Sequence, residues 1–223
     1  MNLIEIQKWA NDNPGLIALI AFLVPSLAGI AIWFIRKKRK LTIRVIEYPT
    51  MCSSYDIGGI YHRTAFLLYL EILNDGKTEI QIGEIQIAYK SKVNDNVNHW
   101  RWLKEETVLL EDYAAPIGED IKVYPFLKQK NQLIDNKIKT HLAPGEMVNG
   151  LVYFEQEKSK ENDYPSMDPD SKVKTKIVVH DTKGKKWHVE HRILKIQIKP
   201  IRKICPSFGK TRGLCEEREI IKA

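Results

Sequence analysis

The feature of this sequence that most constrains the fold is an uncharged apolar segment near the N-terminus. Residues 15–35 read GLIALIAFLVPSLAGIAIWFI and contain no Asp, Glu, Lys or Arg. A helix of this length, rising about 1.5 Å per residue, covers roughly the 30 Å of hydrocarbon in a bilayer. The segment therefore predicts one transmembrane helix over residues 15–35, preceded by a short N-terminal segment over residues 1–14.

The charges beside this segment predict its orientation. It is followed directly by five basic residues, namely Arg36, Lys37, Lys38, Arg39 and Lys40, whereas residues 1–14 carry a net negative charge. Basic residues close to a span stay on the cytoplasmic side and attract anionic lipid headgroups. We expect a single-pass protein of the bacterial inner membrane, with its N-terminus outside and its C-terminal domain in the cytoplasm.

Four further residues are predicted to position the span. Trp9 and Trp33 lie near its two ends, where interfacial aromatic residues are common. Gly15 suits the entry to the helix, and Pro25 removes a backbone donor in mid-span, which predicts a kink. The span has no ionisable residue and no small-xxx-small pair, so a passive anchor is favoured, with a homo-oligomer left open.

A cleaved signal peptide is the competing interpretation of the same segment. The small residues before Gly29 resemble a cleavage site. However, residues 1–14 lack the positive charge of a signal peptide, and the basic cluster 36–40 would resist translocation. The membrane anchor is therefore the favoured interpretation.

The net charge of +7 is unevenly distributed along the chain. Most of it lies in residues 36–40 and in residues 200–223, which are predicted to form a basic C-terminal tail. The body between them has little net charge. This distribution favours contact with lipid headgroups, and no direct contact with nucleic acid is expected.

Beyond residue 40 the hydrophobic pattern changes to the alternation that is typical of β-strands. Strands are predicted at 41–48, 64–73, 78–89, 147–154, 172–180 and 187–198. The second is apolar on both faces, which predicts a central strand covered on both sides. Asp75-Gly76 predicts a tight hairpin between the second and third strands. The apolar residues of the third strand change from even-numbered to odd-numbered positions at Gly83, which predicts a β-bulge there.

These strands, with turn signals about every ten residues, predict a mainly β domain over residues 41–199. The fold expected is an antiparallel immunoglobulin-like β-sandwich after the transmembrane helix, with a small β-barrel as the alternative. One or two more strands are expected within residues 95–140, where the pattern has no clean period.

The sequence offers no constellation for catalysis or metal binding. His188 and His191 would face opposite sides of a strand, whereas a metal needs convergent ligands. The Gly209-Lys210-Thr211 run lacks the preceding glycine of a phosphate-binding loop, because Ile204 stands at that position. No nucleophile-elbow motif occurs either. We therefore expect a non-enzyme without a cofactor.

The cluster Trp100-Arg101-Trp102 is the candidate site for ligand or partner contact. Two tryptophans beside an arginine could form a stacking or cation–π surface. In the alternative, both tryptophans point into the core and Arg101 points outward. That alternative is favoured here, because buried tryptophans at a period of two are common in strands.

Three stretches carry a resemblance to known proteins: LNDGKTEIQIGEI at 73–85, LAPGEMVNGLVYF at 142–154 and VVHDTKGKKWHV at 178–189. They resemble bacterial immunoglobulin-like modules. The layout of one span, a basic stop and a β-domain resembles small membrane effectors of antiviral defence systems. That resemblance implies a β-domain that senses a nucleotide-type ligand and drives the helices to oligomerise and perturb the membrane.

The residues themselves favour a different function. With no catalytic constellation, the chain is expected to be a membrane-tethered binding or adaptor protein. Its cytoplasmic β-domain would recognise a protein partner or a small signal. The membrane effector is the alternative.

Overall fold

The chain is mainly β, with its strands in antiparallel sheets. A computed structural model describes residues 11–36, 39–93, 97–105, 113–117, 120–127, 140–160 and 164–210. Its elements are α1 (Pro14–Arg36), β1 (Leu41–Gly58), β2 (Tyr61–Asn74), β3 (Ile80–Val93), β4 (Val97–Lys104), β5 (Tyr113–Ile117), β6 (Asp120–Tyr124), β7 (His141–Leu142), β8 (Met147–Glu155), β9 (Ser159–Lys160), β10 (Lys172–Asp181), β11 (Lys186–Leu194) and α2 (Ile198–Ile204).

Two antiparallel sheets share one hydrophobic core. The first has the order β1-β2-β8, with β9 beside β2, and the second has the order β11-β10-β3-β4, with β7 beside β3. Strands β5 and β6 pair with each other. The core takes buried side chains from both sheets, among them Phe66, Leu68 and Phe154 from the first and Ile85, Ile87 and Ile177 from the second. The expected antiparallel β architecture is confirmed.

Strand β2 is buried on both faces, as its sequence predicts. Phe66 and Leu68 enter the core between the sheets. Leu67, on the opposite face, enters a second cluster together with Ile201 and Phe208 from the C-terminal segment. Residues 200–210, expected to begin a basic tail, therefore carry side chains that complete this second core. Residues 211–223 lie outside the described part of the chain.

The predicted bulge in β3 is confirmed. Ile85 pairs with Val179 and Ile82 pairs with Asp181, so β3 carries one extra residue between these pairs. Ile80 and Ile82 before the bulge are buried, and so are Ile85 and Ile87 after it. A Cβ at Gly83 would lie 3.2 Å from the Asp181 backbone, which explains why glycine suits this position.

The predicted hairpin at Asp75-Gly76 is wrong, because β2 and β3 lie in different sheets. The buried side chain of Asn74 holds this connection. Its amide donates to the carbonyl oxygens of Thr78 (2.9 Å) and Leu142 (2.8 Å), and its oxygen accepts from Gly76 N (2.9 Å). These bonds satisfy backbone groups where the chain crosses between sheets.

The predicted position of the C-terminal end of the last strand is also wrong. A strand was expected to continue to residue 198, but β11 ends at Leu194 and α2 begins at Ile198. Between them, Ile196 N donates to Cys52 O at 2.8 Å, which leads the chain across the edge of β1. The following helix then packs against the outer side of the first sheet.

Helix α1 contains Pro25 and runs without a break from Pro14 to Arg36. Its side chains are described without a gap from Pro14 to Ile30. Within the described side chains, neither this helix nor α2 has the length and hydropathy needed to cross a membrane. The prediction of a transmembrane helix over residues 15–35 is thus not confirmed by the described residues, and the kink at Pro25 stays a prediction.

Gly150 gives a direct test of the packing around β8. A Cβ there would lie 2.8 Å from Leu127 N and 2.9 Å from Leu127 Cα. That backbone is held in place, because Leu127 N donates to Leu151 O at 2.7 Å. We expect Gly150→Ala to lower the free energy of unfolding by about 1–3 kcal/mol through overpacking. Chemical denaturation of the full chain in detergent measures this.

The control for this substitution is Asn149→Ala, which alters the exposed neighbour in the same strand. It should change the free energy of unfolding by less than about 0.5 kcal/mol. Equal stability of the Gly150→Ala variant and the wild type would contradict the packing described here.

Candidate functional site

The candidate site is the outer face of the second sheet, which we call the tryptophan face. It comprises Trp100 and Trp102 on β4, Lys90 on β3, and Lys174 and Lys176 on β10. In the register, Trp102 is paired with Ala88 and Trp100 with Lys90. Alternation along β4 places the two tryptophans on one side and Leu103 on the other.

The interpretation that Trp100 and Trp102 enter the core is wrong. Their exposed fractions are 37% and 49%, whereas Leu103 is 8% exposed and belongs to the core between the sheets. Arg101 shares the parity of Leu103, is paired with Tyr89 and is half-buried. The two tryptophans are therefore exposed on one face, and Arg101 is not on it; contact with a ligand or partner stays a prediction.

Lysines replace Arg101 as the cations beside the tryptophans. The Lys90 ammonium lies 5.8 Å from the centre of the Trp100 ring, within cation–π range. Lys176 is paired with Ala88, which is also the partner of Trp102. Trp100 thus has a lysine on the adjacent strand, whereas Lys176 lies on the same face as Trp102 but two strands away.

Carboxylates neutralise only part of this face. Ion pairs join Lys174 to Glu190 (2.8 Å), Arg192 to Asp168 (3.4 Å) and Lys104 to Glu84 (3.1 Å). The hydrogen bond and charge of Lys174 hold the pKa of Glu190 below its usual value. Within the described part of the chain, Lys90 and Lys176 have no carboxylate partner at ion-pair distance. The face is therefore aromatic with an excess of positive charge.

The predicted membrane-anchoring residues occupy two different environments. Gly15, Pro25 and Trp33 belong to α1, where Trp33 is 51% exposed. Arg36 is the last residue of that helix. Trp9, Lys37 and Lys38 lie outside the described residues.

Arg39 and Lys40 instead contact the β-domain. The Arg39 guanidinium donates to Asp181 Oδ2 at 2.9 Å, and Lys185 Nζ donates to the Arg39 carbonyl oxygen at 2.6 Å. Lys40 forms an ion pair with Asp75 at 3.3 Å. Hydrogen bonds from Thr42 and Lys40 lower the pKa of Asp75. Part of the predicted lipid-facing cluster thus fixes the start of β1 to the turn between β10 and β11.

A buried polar network that sequence reasoning missed lies under the C-terminal segment. Glu155 accepts hydrogen bonds from Tyr55 (3.0 Å) and Tyr153 (2.7 Å), and Arg63 lies 3.6 Å from the same carboxylate. Burial and the charge of Glu155 raise the pKa of both tyrosines, so both remain hydrogen-bond donors. Its only sequence signal was a Tyr-x-Glu pair at the end of a strand, which is not specific.

This network also holds the C-terminal segment in place. Gly209 N donates to the Tyr153 hydroxyl at 2.8 Å. Gly209 has a φ of +73°, and a Cβ there would lie 2.8 Å from the Tyr55 ring. The arrangement has the character of a structural anchor, because its polar atoms contact one another and the backbone.

The described residues supply no evident catalytic chemistry. Burial raises the pKa of the Cys52 thiol to about 12, which keeps it a poor nucleophile. No group of three or more His, Cys, Asp or Glu side chains within the described ranges is placed to hold a metal ion. His188 and His191 are three positions apart on β11 and so lie on opposite faces.

Comparisons with known proteins give little further guidance. No protein family and no curated protein matches the sequence. Among solved structures, the chain has some similarity to the ApaA protein from Bordetella pertussis. The two are 11% identical, the match covers 71% of this chain and 96% of that chain, and the TM-score is 0.28. A TM-score this low supports no argument about fold or function.

The Arg39–Asp181 contact predicts a measurable stabilisation. Asp181 has only 1% of its side chain exposed, so Arg39→Ala would leave a buried carboxylate without its counter-ion. We expect this variant to lower the free energy of unfolding by about 1–3 kcal/mol. Lys40→Ala is the matched control. It removes an exposed ion pair and should cost less than about 1 kcal/mol.

Denaturation of both variants in the same detergent, followed by near-ultraviolet circular dichroism, checks this difference. An equal loss of stability in the two variants would show that Arg39 is not held specifically by the β-domain.

The Tyr153 hydroxyl should contribute to the attachment of the C-terminal segment. Tyr153→Phe removes one donor to Glu155 and the acceptor for Gly209 N, and both groups are buried. We expect a loss of about 1–3 kcal/mol and faster proteolysis near residues 205–210. Tyr48→Phe, at a residue that is 54% exposed, should behave like the wild type. Unchanged proteolysis of Tyr153→Phe would argue against this attachment.

Proposed function

We propose that this chain is a membrane-tethered, non-catalytic binding protein. In this proposal α1 anchors it in the bacterial inner membrane, and the β-domain on the cytoplasmic side binds an acidic segment of a protein partner. The observation that carries the proposal is the exposure of Trp100 and Trp102 on a face with excess positive charge. We also propose that the β-domain is immunoglobulin-like, which its two-sheet arrangement supports.

The exposure of α1 supports the tether. Its large apolar residues are exposed around the whole helix, including Leu19 (53%), Phe22 (70%), Val24 (60%) and Leu27 (62%). A helix that is apolar on every face is stable only where lipid or protein covers it. The Ser26 hydroxyl donates to Phe22 O at 2.7 Å, which satisfies the polar side chain within the helix itself. The sequence continues the apolar run to Ile35.

The direction of insertion rests on the charges. The basic residues 36–40 all follow the apolar segment, and basic residues next to a span remain cytoplasmic. In this arrangement the β-domain lies on the cytoplasmic side, with Arg39 already held by Asp181.

The composition of the tryptophan face supports a protein partner. Tryptophan is enriched where protein interfaces bind most strongly, because its large ring excludes water from the contact. Lys90 beside Trp100 and Lys176 on the same face favour an acidic surface, since complementary charge speeds and orients association. The face is also built on strands, which hold these side chains in fixed register.

Cross-linking from the tryptophan face tests the proposal. Trp102 is replaced in the full chain by a benzoylphenylalanine, the cells are irradiated, and the adducts are identified by mass spectrometry. We expect one recurrent protein adduct through an acidic segment. Its yield should fall about tenfold when Lys90 and Lys176 are both changed to Glu, because both changes oppose the partner's charge.

Two controls make this experiment specific. The same cross-linker at Tyr48, which is 54% exposed on the other sheet, should not give that adduct. Changing Lys77 and Lys199 to Glu reverses the same number of exposed charges away from the face, and the yield should be retained. No adduct above the Tyr48 background, or equal yields in both charge-reversed variants, would overturn the proposal.

A further inference from the structure

A polar cavity of about 550 Å³ lies where α1 joins the β-domain. Its wall includes Arg39, Thr78, Glu79, His141 and Lys183. The volume lies in the range of small-molecule sites in proteins. Its lining differs from that of the tryptophan face, because it combines cations, carboxylates and hydroxyl groups and contains no tryptophan.

The chain path places this cavity close to the end of α1. Arg39 stands three residues after Arg36, the last residue of the helix. Three residues extend at most about 10 Å. The bonds from Arg39 to Asp181 and from Lys185 to the Arg39 carbonyl hold Arg39 against the β-domain. If α1 lies in a bilayer, as proposed above, the cavity lies close to the headgroup layer.

Some charged groups in the wall already have partners within the protein, and others do not. Asp181 accepts from Arg39 and from the backbone N–H groups of Lys183 (2.9 Å) and Lys185 (2.8 Å), so its carboxylate is satisfied. Among the described residues, Glu79 and the Lys183 ammonium have no ion-pair partner. One carboxylate and one ammonium thus remain available on the same cavity wall.

A second observation concerns Thr78. Its hydroxyl oxygen is buried in the cavity wall and has no hydrogen-bond partner within the described structure. A buried hydroxyl without a partner costs free energy that a bound polar group would recover. Rotation of the Thr78 side chain toward the cavity would place this hydroxyl beside the two charged groups.

We infer that this cavity binds a zwitterionic phosphate ester, with phosphoethanolamine as the headgroup that fits its chemistry. The phosphate would be held by Lys183 and by the exposed side of the Arg39 guanidinium, and the ammonium by Glu79. After rotation of its side chain, the Thr78 hydroxyl would donate to a phosphate oxygen. This inference rests on the proposed function, because the membrane would supply the headgroup as phosphatidylethanolamine.

The Glu79 carboxylate would make the site selective among lipid headgroups. A primary ammonium donates hydrogen bonds to Glu79, whereas the quaternary ammonium of choline has no N–H to donate. Phosphatidylglycerol offers the phosphate without a cation and leaves Glu79 near a negative charge. The expected order of binding is therefore phosphatidylethanolamine first, with phosphatidylcholine and phosphatidylglycerol behind it.

Native mass spectrometry of the full chain tests this order. The protein is placed in nanodiscs with equal amounts of the three lipids, and the lipids retained after release are counted. We expect phosphatidylethanolamine to be retained about tenfold over phosphatidylcholine, as one charge-assisted hydrogen bond would give. Glu79→Gln should abolish the preference, and Lys183→Gln should reduce retention of all phosphate-bearing lipids.

Glu47→Gln, at an exposed carboxylate on β1, is the matched control and should keep the preference. A second arm uses soluble phosphoethanolamine with the chain in detergent. Binding that is lost in Glu79→Gln there, without lipid retention in nanodiscs, would assign the site to a free phosphate ester. No preference in nanodiscs together with no soluble binding, or a Glu79→Gln variant equal to the wild type in both arms, would overturn the inference.

The two arms also separate this inference from the proposed function. Extraction of the chain from native membranes by alkaline carbonate would contradict the tether. The soluble arm would still decide whether the cavity binds the headgroup chemistry.

Discussion

The rest of the structure depends on the burial of β2 on both faces. Residues 64–72 alternate between two separate cores: Phe66 and Leu68 on one face and Leu67 on the other. A strand of this kind needs a cover on each side, since exposing either face would leave several large side chains in water. The second sheet supplies one cover. The segment from Ile196 through α2 to Phe208 supplies the other, so it belongs to the folded unit.

The buried charges under that segment make its position specific. A carboxylate such as Glu155 is costly to bury unless hydrogen bonds and a counter-ion compensate for lost hydration. Tyr55, Tyr153 and Arg63 supply that compensation. Because Gly209 N bonds to Tyr153, the C-terminal segment is tied to the same network. Apolar contact alone would allow this segment to shift, whereas the hydrogen bonds define its register.

Sequence reasoning succeeded where alternation alone decides the structure. The double burial of β2 and the bulge at Gly83 both follow from counting parity within one strand. It failed where the outcome depends on the rest of the molecule. Turn residues such as Asp75-Gly76 do not specify which sheet the next strand joins, and the parity of β4 does not reveal which side is covered. Likewise, Arg39 meets Asp181 across 142 positions, which no local pattern indicates.

The contact between Arg39 and the β10–β11 turn links the two parts of the proposed function. Strand β10 is a central strand of the sheet that presents Trp100 and Trp102, so the tether and the tryptophan face share one rigid element. The most direct test is fluorescence quenching by brominated lipids in liposomes, using chains that keep only Trp33 or only Trp102. The account predicts strong quenching of Trp33 and none of Trp102. Equal quenching of the two, or no quenching of Trp33, would contradict a membrane anchor followed by a separate binding domain.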